Sequence, residues 1–284
     1  MAIYHYSSSH WEKSCIFTSD KDFVFGVNTI ALACVLFNVR ILCYCLMDNH
    51  IHILMEGSAK DCEECYQWIL VRLAQMAGKR DNQNGRMSIK GSVPIVITSR
   101  KQFINEMVYI LRNPYKARIS APSSYKWSSW GQYFNPWRDY LKGTPVSTLT
   151  QAQARKLFRT RYVMPSDYEH IDGKILNKCF VDSKAAEKII GSSLDFFDTL
   201  RLWDLESAVK ISHGAEESIK FTDAELKPKL LAICNNEYHV ASLDQLDRKT
   251  LMTLARTASR RFGSGNAQLA RLLGVSPEDL NSVL

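Results

Sequence analysis

Asp48 and Asn49 separate two short apolar runs, Ile41 to Leu46 and His50 to Met55. Both residues tolerate positive φ, so the pair reads as a two-residue turn and the two runs as a β-hairpin. Side chains alternate across a strand. His50, His52, Leu54 and Glu56 therefore share one face, and Ile51, Ile53 and Met55 share the other. The isoleucine face can pack on helices. The histidine face presents two imidazoles side by side, a pair able to bind one metal ion. The competing reading is two unrelated surface or core histidines, which their common face disfavours.

The rest of the first half can be read around this hairpin. Ile3 to Ser8 reads as a strand and Cys15-Ile16-Phe17-Thr18 as a further extended piece. Ser19-Asp20 caps a helix from Lys21 to about Phe37, and a second helix runs from Ser58 to a stop at Gly78. Asp81 to Gly85 is a polar loop, and Val93 to Ile97 a short strand weakened at its start by Pro94. Thr98 or Ser99 caps a helix from Arg100 to about Asn113, which Pro114 should end. Strand–helix–strand–strand–helix–strand–helix predicts an α+β fold, a ferredoxin-like antiparallel sheet with helices on one face.

Farther on, Leu149 to Phe158 and Ser183 to about Leu202 read as helices, and Asp172-Gly173 as a hairpin turn. The end of the chain reads as an all-α C-terminal module. Thr222 and Asp223 start one helix, Leu243 to Phe262 forms a second with Gly263 as its stop, and Asn266 to Leu273 with Pro277 to Leu284 form a helix–turn–helix. Arg256, Arg260 and Arg261 lie close together on one turn and could meet phosphates. The second helix of that pair opens with Glu278-Asp279, a poor sequence for probing a DNA groove. The expected division is 1–135 as a catalytic domain, 136–220 as a mixed connecting region and 221–284 as the helical module.

Charge adds a partner class. Residues 1–150 carry 17 Lys and Arg against 11 Asp and Glu, and residues 248–284 carry 6 against 2, flanking an acidic block at 198–247. Such a distribution suits a polyanion partner, although modest charge is also what a solvated surface carries. The aromatic run Tyr125 to Phe134 has two readings, packing of a loop onto the core or stacking of unpaired bases. No apolar run has the length of a membrane span and no signal-peptide pattern opens the chain, so a cytoplasmic protein without a membrane partner is expected. Cys62 and Cys65 have metal-type spacing but no second such pair follows, which is weak evidence for zinc, and a disulfide framework does not suit a cytoplasmic chain.

A metal held by two histidines wants further ligands, and strand cleavage needs a nucleophile. Tyr109 and Asn113 stand at i and i+4 and so share a helix face. Asn113 can give an amide oxygen to the metal, and the Tyr109 hydroxyl can stand near a metal-bound phosphate. A tyrosine pKa near ~10 calls for help at neutral pH, part of which a metal that polarises the phosphate supplies. Tyr115 is a competing nucleophile that should leave the helix after Pro114.

The blocks Tyr44-Cys45-Leu46-Met47-Asp48-Asn49-His50-Ile51-His52-Ile53-Leu54 and Tyr109-Ile110-Leu111-Arg112-Asn113-Pro114-Tyr115-Lys116-Ala117 resemble those of HUH-type Y1 transposases of the IS200/IS605 class, most closely the REP-associated tyrosine transposases. Tyr125 through Tyr133 is similar to a third block of that group, and Ile3-Tyr4-His5-Tyr6 to its opening strand. The resemblance covers roughly residues 1–135; the tail resembles a helix–turn–helix extension that some relatives carry. Asp48 stands where relatives usually have proline, and Ser7-Ser8-Ser9-His10 where they tend to show an arginine-containing turn.

The resemblance implies an enzyme that acts on single-stranded or hairpin DNA. His50, His52 and Asn113 would bind Mg²⁺ or Mn²⁺. Tyr109 would attack the scissile phosphate to give a 5′-phosphotyrosine bond and a free 3′-hydroxyl. Relatives include monomers and homodimers with shared active sites, so a homodimer is among the assemblies implied. Two other functions fit some of the same residues. One is a non-catalytic DNA-binding regulator acting through the C-terminal helix–turn–helix. The other is a metal-dependent hydrolase that uses the histidine pair with water as nucleophile.

Overall fold

The computed structural model describes residues 1–8, 15–81, 89–117, 119–212, 223–262, 264 and 266–281. Ser9 and His10, the predicted loop at 82–85, Thr222, Gly263, the end of the final predicted helix at 282–284, and the side chains of Arg260 and Arg261 lie outside the described residues.

Serines set the starts of the first three helices. Ser19 accepts from the Asp22 N–H at the head of α1 (Asp20–Leu36), Ser58 from Asp61 at the head of α2 (Ala59–Arg80), and Ser99 from Gln102 at the head of α3 (Arg100–Leu111). Each such cap contributes about 1 kcal/mol. Between and around these helices run β1 (Ala2–Ser7), β2 (Arg40–Leu46), β3 (Ile51–Gly57) and β4 (Ile95–Ile97). Cys15 to Thr18 is not a strand; its Phe17 N–H donates to the Asp48 carbonyl at 2.9 Å.

The four strands make one antiparallel sheet in the order β2-β3-β1-β4. With its β-α-β-β-α-β connection this is the ferredoxin-like arrangement, an α+β fold. The register places Ser7 opposite His52, Tyr6 opposite Ile53 and His5 opposite Leu54. His5, Ser7 and His52 thus share a face, and Tyr6 lies with Ile53 on the other. The Tyr6 ring meets Tyr66 of α2 at 4.7 Å. Gly26 of α1 sits so close to the sheet that a Cβ there would come 2.9 Å from Leu46 Cδ1. The helices α1 and α2 therefore cover the isoleucine face. The histidine face is covered by α3, whose Glu106 bonds to His5, so helices lie on both faces of the sheet and not on one as expected.

The aromatic run closes the outer edge of β2. Leu46 N–H donates to the Trp127 carbonyl and Ser129 N–H to the Tyr44 carbonyl, while the Tyr125 and Tyr133 hydroxyls donate to the carbonyls of Leu46 and Leu42. An edge strand is thereby paired without a fifth strand.

Three predicted boundaries move. Pro114 does not end the helical run; it sits in the first turn of a short helix, α4 (Asn113–Lys116), where its missing N–H costs nothing. After β5 (Thr144–Pro145), α5 (Gln151–Phe158) and the hairpin of β6 (Glu169–Ile171) and β7 (Lys174–Ile175), the predicted helix from Ser183 is two helices. These are α6 (Ser183–Ile190) and α7 (Ser193–Ser212), parted at Gly191, whose φ of +79° belongs to a helix end. The hairpin turn is at Asp172-Gly173 as expected, both at positive φ. Toward the C-terminus come α8 (Asp223–Glu237), α9 (Arg248–Phe262), α10 (Asn266–Leu273) and α11 (Pro277–Asn281). The predicted helix from Leu243 starts only at Arg248, because Leu246 is extended and Asp247 caps Thr250.

One core runs continuously from Tyr6 to Phe196, and a second, built from Leu226 to Leu280, belongs to the C-terminal helices. All eight cysteines are free thiols; Cys62 and Cys65 are fully buried in the first core, and burial pushes the Cys62 thiol up to about 11. Among the described residues no helix is long and apolar enough to cross a membrane.

Candidate active site

The β2–β3 connection delivers the histidines. Met47 N–H donates to the His50 carbonyl at 2.8 Å, closing a two-residue turn on Asp48 and Asn49. Neither turn residue takes positive φ, so the predicted left-handed geometry is not used. Asp48 is instead drawn inward, and burial, reinforced by the Asp223 carboxylate, pushes its carboxyl up to about 6. His50 immediately precedes β3, and His52 is its second residue; their rings lie 4.9 Å apart and perpendicular. Both are almost fully buried.

Tyr109 reaches them from α3. Its ring centroid is 5.4 Å from that of His52 and 6.1 Å from that of His5. The histidine pair and the tyrosine, distant in sequence, are thus brought together. Asn113 lies one helical turn beyond Tyr109 and is buried, with its Nδ2 donating to the carbonyls of Tyr109 at 2.9 Å and Ile110 at 3.2 Å. Tying the nitrogen to the backbone makes Oδ1 the amide atom to offer a metal. Tyr115 does not leave the helix. It lies in α4, exposed, beneath the Arg112 guanidinium at 5.7 Å.

Two residues not anticipated from the sequence complete the site. His5 of β1 bonds through Nε2 to His52 Nδ1 at 3.0 Å and through Nδ1 to Glu106 Oε2 at 2.8 Å. With His5 neutral, donor counting places the protons in this chain. The carboxylate only accepts, so His5 donates from Nδ1; a neutral His5 then accepts at Nε2, and His52 donates from Nδ1. His52 is left as the tautomer whose Nε2 carries the lone pair. His50 is set the same way, with Nδ1 bonded to Asn49 Oδ1 at 2.7 Å. Both rings are oriented so that Nε2 would be the atom offered to a metal, as an outer hydrogen bond orients a metal-bound histidine. Two imidazole nitrogens and an amide oxygen suit Mn²⁺ more than Mg²⁺, which prefers oxygen alone. The donor set therefore fits a divalent cation, although among the described residues no group of three or more His, Cys, Asp or Glu side chains is arranged to hold one.

The electrostatics of Tyr109 oppose its ionisation. Burial, and then the nearby Glu106 carboxylate, hold its phenol above the usual tyrosine range. Lys116 Nζ stands 6.0 Å from the Tyr109 ring centroid. The indole of Trp203, from α7, lies 6.3 Å away and also 5.6 Å from the Arg112 guanidinium, so α7 overhangs Tyr109.

No family model, curated protein or solved structure matches the chain.

Proposed function

We propose that the chain is a metal-dependent single-stranded DNA endonuclease and strand transferase, a tyrosine transposase of the HUH type, acting at hairpin DNA. The reading rests above all on the meeting of Tyr109 with His52 and His50 in one partly enclosed site. In the proposed reaction the Tyr109 hydroxyl oxygen attacks the scissile phosphorus. The Tyr–O–P bond forms as the phenol gives up its proton, the P–O3′ bond breaks, and the 3′-oxygen takes up a proton and leaves as a hydroxyl, so no net proton is released. Attack by a 3′-hydroxyl reverses the sequence and releases tyrosine, so no nucleotide cofactor is consumed. His50 Nε2, His52 Nε2 and Asn113 Oδ1 would hold Mn²⁺ or Mg²⁺, and a bound cation would supply charge stabilisation at the phosphate. Glu106 and His5 orient His52, Lys116 places a positive charge beside the phenol, and α7 limits water at the nucleophile.

The regulator reading has less support. The helix–turn–helix pair is present as α10 and α11, with Gly274 at φ +67° between them. Yet α11 opens with Glu278 and Asp279, and Asp279 is engaged by Arg248.

The decisive experiment incubates the protein with end-labelled single-stranded hairpin DNA and Mn²⁺ or Mg²⁺ and resolves the products on a denaturing gel. A covalent protein–DNA adduct is expected, lost in Tyr109→Phe while DNA binding stays near wild type. Cleavage without an adduct would establish water as the nucleophile, and binding without cleavage would favour the regulator.

A further inference from the structure

A second feature lies outside this site. A groove of about 870 Å³ opens between α1, α5, the β6–β7 hairpin and the loop at Lys126-Trp127. Its walls are apolar, from Val24, Phe25, Leu149, Leu157 and Leu176. Five cations line it, Lys21, Lys126, Lys156, Arg159 and Lys174, against the carboxylates of Asp20 and Asp172. Asp20 is taken by Lys126 at 2.6 Å, which leaves the positive excess in place.

Three details show charge held there against local preference. Lys126 and Lys174 both set their ammonium groups over the Trp127 ring, at 4.8 and 5.6 Å. Lys174 is half-buried and has no carboxylate partner among the described residues; burial, and then Lys126, hold its ammonium below the usual lysine range. Arg159 ends α5 in the left-handed region at φ +49°, a conformation arginine seldom adopts, with its guanidinium 5.4 Å over the Phe25 ring. An anion in the groove would relieve the lysine pair. Apolar walls beneath a cationic rim match a ligand with flat bodies strung on charged links.

The groove also adjoins the active-site hairpin. The Trp127 carbonyl receives the Leu46 N–H at the end of β2, and Trp127 stacks through Phe23 onto Phe17, whose N–H is bound by Asp48. We propose that the groove holds a single-stranded DNA flank of the cleaved hairpin, with its phosphates on Lys156, Arg159 and Lys174 and its bases against the apolar wall. This inference rests on the DNA-cleaving reading and gives it a second, non-catalytic contact.

The test compares wild type with Lys156→Gln/Arg159→Gln/Lys174→Gln, using fluorescence anisotropy on two labelled DNAs, a hairpin with an unpaired flank and the same hairpin without it. Wild type should prefer the flanked DNA by about tenfold, and the triple variant should lose that preference, its log–log salt slope shallower by about 2 because each phosphate contact on a single strand is worth about 0.7. Adduct formation at saturating DNA should persist in the triple variant. Lys156→Arg/Arg159→Lys/Lys174→Arg, which keeps the charges, should retain the preference and so exclude a folding defect. A triple variant that binds flanked DNA as tightly as wild type overturns the groove assignment and leaves the enzymatic reading standing. A wild type that binds neither DNA and forms no adduct overturns both.

Discussion

His52 could be found in the sequence, but what holds it could not. The common face of His50 and His52 follows from strand alternation, and that of Tyr109 and Asn113 from helical spacing, both local rules. His5 and Glu106 enter only through the register of β1 against β3 and the seating of α3, which no local pattern encodes. On the proposed reading their removal has separable consequences. His5→Ala and Glu106→Gln should each raise the Mn²⁺ concentration for half-maximal adduct formation by about 10- to 100-fold, the usual cost of losing an outer-shell partner. At saturating Mn²⁺ the two should diverge. Glu106 is one reason the Tyr109 phenol lies high, so Glu106→Gln lowers that pKa, increases the phenolate fraction and raises the adduct rate above that of His5→Ala. Unchanged metal dependence in both variants would remove His5 and Glu106 from the site.

At the scale of elements, the helices and strands were legible because caps and periodicity are written locally, while their ends shifted wherever one residue set the backbone. Gly191 parts α6 from α7, Asp247 delays α9, and Pro114 starts a turn that it was expected to stop. The clamp between α1 and α2 had no sequence signature either. Arg80, the last residue of α2, donates to the carbonyls of Cys15 at 2.8 Å and Ile16 at 3.0 Å and to the Asp22 carboxylate at 3.0 Å. Burial alone would raise the Asp22 carboxyl, but the Thr18 N–H and hydroxyl together with Arg80 outweigh it and hold it below the usual range. A carboxyl held lower in the folded than in the unfolded chain stabilises the fold above its unfolded pKa near ~3.9, and that stability is lost as the pH falls through the folded value. Arg80→Ala leaves a nearly buried carboxylate without its cation and should cost about 3–5 kcal/mol at pH 7. The penalty should shrink at pH 3, below the carboxyl's unfolded pKa near ~3.9, where the unfolded chain is mostly protonated. Urea melts at the two pH values measure this, and equal midpoints for wild type and variant at pH 7 would show the clamp to be dispensable.

At the scale of the whole molecule, the C-terminal helices have their own core yet meet the first domain at the histidine-bearing turn. Asp223 at the head of α8 makes a bidentate pair with Arg271 of α10, accepts from Cys15 Sγ at 3.4 Å, and lies near enough to Asp48 to raise its carboxyl. Arg271 is buried, and its charge offsets both carboxylates. Arg271→Ala would leave Asp48 and Asp223 facing each other. A penalty of about 3–5 kcal/mol for an uncompensated buried charge is a large share of the 5–15 kcal/mol that holds a typical domain together. In the full chain, hydrogen exchange should therefore quicken in α8 and α10 and stay slow in β1 and β3. The wild type carries the same coupling in its pH dependence. Because the Asp48 carboxyl titrates near 6 when folded, above its unfolded value, the folded state takes up a proton as the pH falls through about 6, and stability rises toward pH 4. Exchange in α8, corrected for its intrinsic rate, should then be slower at pH 5.5 than at pH 7.5, and Asp48→Asn should abolish the difference. If adduct formation survives Arg271→Ala while the tail loosens, the tail is accessory to cleavage; if adduct and DNA binding disappear together, the helix–turn–helix carries the DNA contact and the regulator reading gains over the enzymatic one.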